Sequence, residues 1–271
     1  MSRQIALWKS LLACGIVMGV ALGARADEKD SRVYELRVYY AAEGKLDALH
    51  ARFRDHTTKL FEKHGMTNIG YWTPLENPER KLIYFLAYPS REAREKSWKA
   101  FVADPDWQKA RRESEVGGAL VAKVEVMFLR TTDYSPDVTA ALVPSKKSSK
   151  RTSKADERVF ELRTYTASKG NLENLNARFR DHTLKLFEKH GITNIGYWVP
   201  LKGEKGDDNT LIYILAHKSV DAAKASFDAF RKDPDWIAAR KASEDKAGGS
   251  LTAKDGVKSA FMKATDYSPM R

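Results

Sequence analysis

Two stretches of the sequence are almost identical: ARFRDHTTKLFEKHGMTNIGYW at residues 51–72 and ARFRDHTLKLFEKHGITNIGYW at residues 177–198. They differ at only two positions. The similarity extends outward through RVYELR (32–37) and RVFELR (158–163), DPDW (104–107 and 233–236) and DYSP (133–136 and 266–269). The chain is therefore an internal duplication, with a first domain at 32–136 and a second at 158–269.

Within one copy, residue periodicity predicts the element order β-α-β-β-α-β. Runs of β-branched and aromatic residues indicate strands at 33–40, 66–75, 81–88 and 120–132. Apolar residues at helical spacing predict a helix over 45–64, ended by Gly65. Ser90 and Asp104 are typical N-cap residues of a second, interrupted helix.

Right-handed crossovers on this element order give an antiparallel sheet with both helices on one face. The predicted fold class is therefore α+β, with two tandem ferredoxin-like domains. The other face of each sheet would be exposed to water in a single copy. We expect the two copies to cover these faces, so that they form a fused dimeric α/β barrel.

The alternation along the strands predicts which residues lie on the bare sheet face. In the first strand we expect Tyr34, Leu36 and Val38 to face the helices. The charged residues expected on the bare face are Glu35, Arg37, Lys123 and Glu125, with Glu161 and Arg163 in the second copy. We interpret them as ion pairs at the seam between the copies, with a polar ligand cavity as the alternative.

The N-terminal segment, residues 1–26, has the pattern of an export signal. Arg3 and Lys9 precede a mostly apolar stretch at 11–24, and Ala24-Arg25-Ala26 provides the small residues of a cleavage site. We expect cleavage after Ala26 and a periplasmic or secreted protein. The single cysteine, Cys14, lies in this segment, and one cysteine excludes a disulfide scaffold or a Cys-based zinc site.

Composition and charge indicate a folded protein with one strongly basic segment. With 42% hydrophobic and 31% charged residues, the chain can form a core, so wholesale disorder is excluded. The formal net charge is +11, and five of the positive residues lie between Lys146 and Lys154. We predict a basic Ser/Lys-rich linker at 137–157, with affinity for an anionic envelope polymer or lipid headgroups.

Several motifs together resemble the NIPSNAP family. They are VYELRVYY (33–40), LFEKHG (60–65) followed by GYW (70–72), DPDW (104–107) and TDYSP (132–136), and both copies carry them in the same order. The resemblance implies the dimeric α/β-barrel superfamily, whose members include monooxygenases, haem-handling enzymes and isomerases. It implies no general catalytic residue. The export signal departs from the mitochondrial members of the family.

The candidate catalytic residues are His56 and His182, which fall on the apolar stripe of the first helix of each copy. An imidazole there would point between helix and sheet and could act as a general base or an axial haem ligand. The alternative is a core histidine. His56 and His64 are about 12 Å apart along one helix, so no shared metal is expected. We expect Arg52, Arg54 and Asp55 on the solvated helix face.

The aromatic pairs Tyr71-Trp72 and Tyr197-Trp198 each place one ring on either face of a strand. They are candidates either for core packing or for the walls of an apolar ligand pocket. Sequence motifs for a serine nucleophile, a phosphate loop, a zinc protease or a dinucleotide site are not present. The strand corresponding to an RNA-binding motif lacks its glycines, so no nucleic-acid partner is expected.

These observations favour an exported protein that binds a small apolar or aromatic compound in a helix–sheet cleft. Two alternatives remain: a non-catalytic envelope scaffold, and a haem-binding or monooxygenase-like enzyme. We expect either a monomeric pseudo-dimer or a higher homo-oligomer. Haem is the only cofactor that the sequence brings into consideration.

Overall fold

The computed structural model describes residues 32–139, Leu142 and residues 158–271. The expected export signal with its cleavage site after Ala26, and the basic segment Lys146–Lys154, lie outside the described residues.

The first copy has the expected order of elements. Its strands are β1 (Val33–Ala41), β2 (Thr67–Pro74), β3 (Lys81–Tyr88) and β4 (Val121–Thr131). Its helical segments are α1 (Leu46–Arg52), a π-helical turn (Phe53–Thr57), α2 (Thr58–Lys63), α3 (Arg91–Ala103) and α4 (Pro105–Ser114). The side chains of Ser90 and Asp104 cap α3 and α4 by accepting backbone N–H bonds, as the sequence predicts.

The second copy repeats these elements. Its strands are β5 (Val159–Ala167), β6 (Thr193–Pro200), β7 (Thr210–His217) and β8 (Thr252–Ala264). Its helical segments are α5 (Leu172–Arg178), a π-helical turn (Phe179–Thr183), α6 (Leu184–Lys189), α7 (Val220–Lys232) and α8 (Pro234–Ala247).

The eight strands close into one antiparallel barrel with the order β1-β3-β2-β8-β5-β7-β6-β4. The two copies join where β2 pairs with β8 and where β4 pairs with β6, for example Trp72 opposite Ala264 and Thr131 opposite Trp198. Each strand has a neighbour on both sides, but the two seams between the copies join only Trp72–Pro74 to β8 and Leu129–Thr131 to β6. The expected α+β architecture of two repeated halves around a shared barrel is confirmed.

The barrel interior is an apolar core to which both copies contribute. Trp72 of the first copy packs against Phe160 of the second, with ring centroids 5.6 Å apart. Phe85 packs against Trp198 at 4.8 Å. The helices lie on the outside of the barrel, where residues such as Phe53 and Phe101 form a separate core in each copy with the outer side of the strands. The barrel is thus a filled core with a helix layer around it.

The expected facing of β1 is wrong. Tyr34 and Leu36 lie in the barrel interior with Val38 packed against them, whereas Glu35 and Arg37 face the helices. The reason is the location of their partners. Arg94 on α3 pairs with Glu35 at 2.9 Å, and Trp98 on the same helix covers the guanidinium of Arg37 at 4.2 Å.

The predicted charged seam between the copies is therefore not observed. Glu161 and Arg163 pair with each other within the second copy on its helix side. Lys123 and Glu125 are exposed and pair with each other at 2.6 Å, and Glu125 accepts a bond from Tyr40 of the same copy. They lie on the part of β4 beyond its pairing with β6, so no second copy covers them.

The end of each copy packs against the other copy. Tyr134 of the first copy lies 5.5 Å from the ring of Tyr197, and Tyr267 of the second lies 5.4 Å from Tyr71. We expected the linker to begin at residue 137, yet Val138 is buried in the barrel interior. The two sequence repeats are therefore interlocked in space.

Candidate functional site

The π-helical turn decides where the histidines of the first helix point. In this turn, Phe53 and Thr57 are the residues that point towards the sheet, and Thr57 is 1% exposed. His56 therefore lies on the exposed outer side of the helix. His182 is exposed in the same way in the second copy. The expectation that His56 and His182 point between helix and sheet is wrong, because the spacing that predicted it assumed an uninterrupted α-helix.

The aromatic pairs divide between two cores, as the strand alternation predicts. Trp72 and Trp198 lie in the barrel interior, and Tyr71 and Tyr197 lie in the helix–sheet cores. All four side chains are fully buried. They serve packing, and none of them lines either of the clefts described next.

Each copy has a cleft between its helices and the outer face of its strands. The first cleft has a volume of about 340 Å³ and the second about 250 Å³. Equivalent residues line both, namely Tyr39 and Tyr165, Arg52 and Arg178, Phe53 and Phe179, Phe61 and Phe187, Trp107 and Trp236, and Glu115 and Glu244. The same concave site is thus built twice.

A buried arginine lines each cleft. Arg52 is 5% exposed and Arg178 is 7% exposed, so the expectation of a solvated Arg52 is wrong. Each guanidinium carbon lies 5.2 Å from the ring centre of the cleft tryptophan, Trp107 or Trp236. The Nε atoms of both arginines have no hydrogen-bond partner among the described residues. A buried donor without a partner costs free energy, which an acceptor entering the cleft can recover.

The distance from the buried arginine to its glutamate differs between the two clefts. In the first, Arg52 Nη1 lies 2.8 Å from Glu115, and Arg111 bonds the other oxygen of that carboxylate at 3.1 Å. Burial raises the pKa of Glu115, but these bonds more than offset it and hold the pKa below its ordinary value. In the second, Arg178 Nη1 lies 3.6 Å from Glu244, whose carboxylate bonds Arg240 at 3.1 Å.

A second buried charge cluster lies beside each cleft. In the first copy, Glu35 accepts hydrogen bonds from Arg37, Arg94 and Tyr88. In the second copy, Glu161 accepts from Arg163 and pairs with His217 at 3.2 Å. Ala223 stands at the position that corresponds to Arg94, so the second cluster has one arginine fewer.

The arginine and glutamate that line each cleft are not among the candidate site residues that the sequence predicts. Arg52 and Glu115 are separated by 63 residues, and no local motif joins them. The sequence feature that indicates them is the recurrence of Arg52, Trp107 and Glu115 as Arg178, Trp236 and Glu244.

Among the described residues, no group of three or more His, Cys, Asp or Glu side chains could hold a metal ion. Within the same residues, no helix has the length and apolar character needed to cross a membrane.

The fold and the paired clefts define a class: a two-copy α+β barrel protein with a helix–sheet cleft in each half. The NIPSNAP family profile matches the chain twice, at residues 34–136 and 160–269. The chain belongs to the NIPSNAP family, and the resemblance found in its motifs is confirmed.

One of the similar solved structures supports the fold over most of this chain. An anthrone oxidase-like protein is 12% identical with a TM-score of 0.53, and the alignment covers 89% of this chain and 95% of that one. A NIPSNAP family protein from Agrobacterium tumefaciens is 24% identical, covering 39% of this chain and 98% of that one, with a TM-score of 0.36. An uncharacterized NIPSNAP-like domain protein from Burkholderia xenovorans is 19% identical, with 40% and 90% coverage and a TM-score of 0.36. A comparison with curated proteins gave no match.

Proposed function

We propose that this protein binds a small apolar or aromatic compound in its helix–sheet clefts. The observation that carries the proposal is that both copies contain an aromatic cleft with a buried arginine whose Nε lacks a partner among the described residues. A pocket lined by rings with a few convergent polar groups is the usual form of a small-molecule site.

The size of the clefts limits the ligand. Ligand pockets have volumes of about 300–1,000 Å³, and both clefts lie near or below the lower end of that range. A compound of one or two fused rings fits this size. Phe53, Phe101 and Trp107 in the first cleft offer ring faces and edges for such a compound.

We infer a ferredoxin-like topology for each half. The strand order within the first copy is β4-β1-β3-β2, with every neighbouring pair antiparallel. This order supports the split β-α-β arrangement that the sequence predicts. Both helical layers pack on the outer face of the strands, where the clefts form.

No specific observation favours the enzymatic alternative. Neither cleft has a histidine among its lining residues, and His56 and His182 lie outside both, so an axial histidine for haem is not supported. If no ligand binds, we infer a non-catalytic scaffold.

We also propose export through residues 1–26 and contact of Lys146–Lys154 with an anionic envelope polymer or lipid headgroups. The mass of the N-terminus from a cell-envelope preparation tests the cleavage after Ala26.

The binding proposal is tested by calorimetric titration of the purified protein with two aromatic probes, neutral 2-naphthol and anionic 2-naphthoate. Val124 and Val257 line the first and second clefts and are 41% and 45% exposed, so Val124→Trp and Val257→Trp should fill the clefts. The matched control is Val116→Trp, which is 87% exposed and lines neither. We expect binding that the cleft variants reduce and the control does not. Absence of binding, or binding unaffected by both cleft variants, would refute the proposal.

A further inference from the structure

We propose that the cleft of the second copy is an anion site for a small aromatic carboxylate, with Arg178 as the counter-ion of the carboxylate. This inference rests on the proposed function and assigns the two clefts different ligands. The first cleft, whose arginine is already matched by a carboxylate of the chain, takes a neutral compound.

The first argument is the incomplete neutralisation of Arg178. Its side chain is 6% exposed, yet its contacts are long: 3.6 Å to Glu244 and 3.4 Å to the hydroxyl of Ser243. Burial lowers the pKa of Arg178, and the charge of Glu244 only partly offsets it. In the first cleft Glu115 occupies the corresponding position at 2.8 Å from Arg52. A buried cation without a close counter-ion is costly, so an anionic ligand gains most at Arg178.

The second argument is the charge of the cleft lining. Arg163, Arg231 and Arg240 line the second cleft with Arg178, and Glu244 is the acidic lining residue. Glu161 pairs with Arg163, Asp228 with Arg231 and Glu244 with Arg240, which leaves Arg178 the least compensated of the four. Val102 replaces Arg231 in the first copy.

The third argument is the smaller ring beside Arg163. In the first copy Trp98 covers Arg37 at 4.2 Å, and Arg37 does not line the cleft. In the second copy Phe227 stands in place of Trp98, at 4.9 Å from Arg163, and Arg163 reaches the cleft lining. With Arg231, Arg163 gives the second cleft two more lining guanidinium groups than the first cleft has.

The geometry specifies a planar anion. A guanidinium presents parallel N–H donors that match the two oxygens of a carboxylate. The walls on either side are rings, Phe227, Phe230 and Trp236 among them, which accept the flat face of an aromatic ligand. A carboxylate on one or two rings therefore fits both the charge and the volume of about 250 Å³.

The experiment compares 2-naphthoate with 2-naphthol by calorimetry on the purified protein and its variants. We expect 2-naphthoate to bind one site at least tenfold more tightly than 2-naphthol binds there. Arg178→Gln should weaken 2-naphthoate binding at least tenfold while changing 2-naphthol binding less than twofold. Arg52→Gln is the matched control in the first cleft, and it should leave 2-naphthoate binding within twofold of wild type.

A second variant keeps the inference testable if Arg178→Gln does not fold. Glu244→Gln removes the carboxylate that competes for Arg178, so it should tighten 2-naphthoate binding at least threefold. A purely structural role for Arg178 predicts no such gain. Unchanged or weaker binding in Glu244→Gln overturns the inference.

The outcomes separate the two proposals. Binding of both probes without preference for 2-naphthoate, with loss in Val257→Trp, overturns the anion site and leaves the proposed function standing. Equal weakening of 2-naphthoate by Arg52→Gln and Arg178→Gln overturns the assignment to the second copy. If neither probe binds, the proposed function fails and this inference fails with it.

Discussion

The carboxylate of Glu35 holds together the most heavily bonded polar cluster beside the first cleft. It is 0% exposed and accepts bonds from Arg37, from two nitrogens of Arg94 at 2.9 and 3.0 Å, and from Tyr88 at 3.0 Å. Glu35→Gln keeps the shape of the side chain but removes its charge. Two nearly buried guanidinium groups then share one amide oxygen in place of a carboxylate.

The size of the effect follows from the burial of these partners. The side chains of Arg37 and Arg94 are 8% and 11% exposed, so water cannot replace the lost carboxylate. Removal of one partner from a buried ion pair costs about 3–5 kcal/mol. Because glutamine retains one acceptor, we expect Glu35→Gln to lower the free energy of unfolding by about 3 kcal/mol, the lower end of that range.

Glu161→Gln is the matched variant in the second copy. Arg163 has one further acceptor there, the hydroxyl of Tyr213 at 2.9 Å. Its bond to Tyr165 at 3.1 Å corresponds to the bond of Arg37 to Tyr39 at 3.2 Å. No arginine of the second copy corresponds to Arg94, because Ala223 stands at that position. We therefore expect a smaller loss of about 1.5 kcal/mol, the value of one hydrogen bond to a charged group.

Urea unfolding followed by tryptophan fluorescence at pH 7 measures both variants against wild type. We expect a lower midpoint with an unchanged dependence on urea concentration, since the surface exposed on unfolding is the same. A loss below about 1 kcal/mol for Glu35→Gln would refute the reasoning from buried charge. Equal losses for the two variants would refute the role given to Arg94.

Two further predictions concern the histidines and the dependence on pH. His56→Ala and His182→Ala change exposed side chains, so each should shift the free energy of unfolding by less than about 0.5 kcal/mol in the same assay, and a loss above about 2 kcal/mol would contradict their placement. Burial raises the pKa of Glu35, but its bonds with Arg94 and the charge of Arg37 more than offset burial, so the net pKa is below its ordinary value. Hydrogen bonds from Lys63 and His64 also lower the pKa of Asp104. Carboxylates with lowered pKa values stabilise the fold above their ordinary pKa of about 4–4.5, and this stability is lost as pH falls, so unfolding free energy should decrease from pH 5 to pH 3. Glu35→Gln should show a weaker decrease, and a stability that rises over this interval would contradict the assignment.

Local chemistry made the elements predictable. Ser90 caps α3 and Asp104 caps α4 where the sequence places them, and Gly65 ends the first helix with a φ of +77°. Such features depend on neighbours a few residues apart, which the sequence shows directly. The duplication shows the sequence pattern of each element twice. The barrel was predicted because each copy alone would leave one face of its sheet exposed to water.

The candidate site was only partly predictable. A helix–sheet cleft was expected in each copy, but His56 and His182 were the wrong residues, because the extra residue of a π-helical turn has no compositional signal. Arg52 resembles a surface residue in a charged run. Its burial depends on Trp107 and Glu115, which fold over it from another helix.

The sequence by itself determined the duplication, the order of strands and helices, and the family. Only the tertiary structure decided which way each element faces. The alternation along β1 allows either set of side chains to face the helices, because both sets contain apolar residues. Arg94 and Trp98 on α3, which contact Glu35 and Arg37, decide between the two orientations. The same long-range packing decides that Glu115 lies 2.8 Å from Arg52, while the corresponding Glu244 lies 3.6 Å from Arg178.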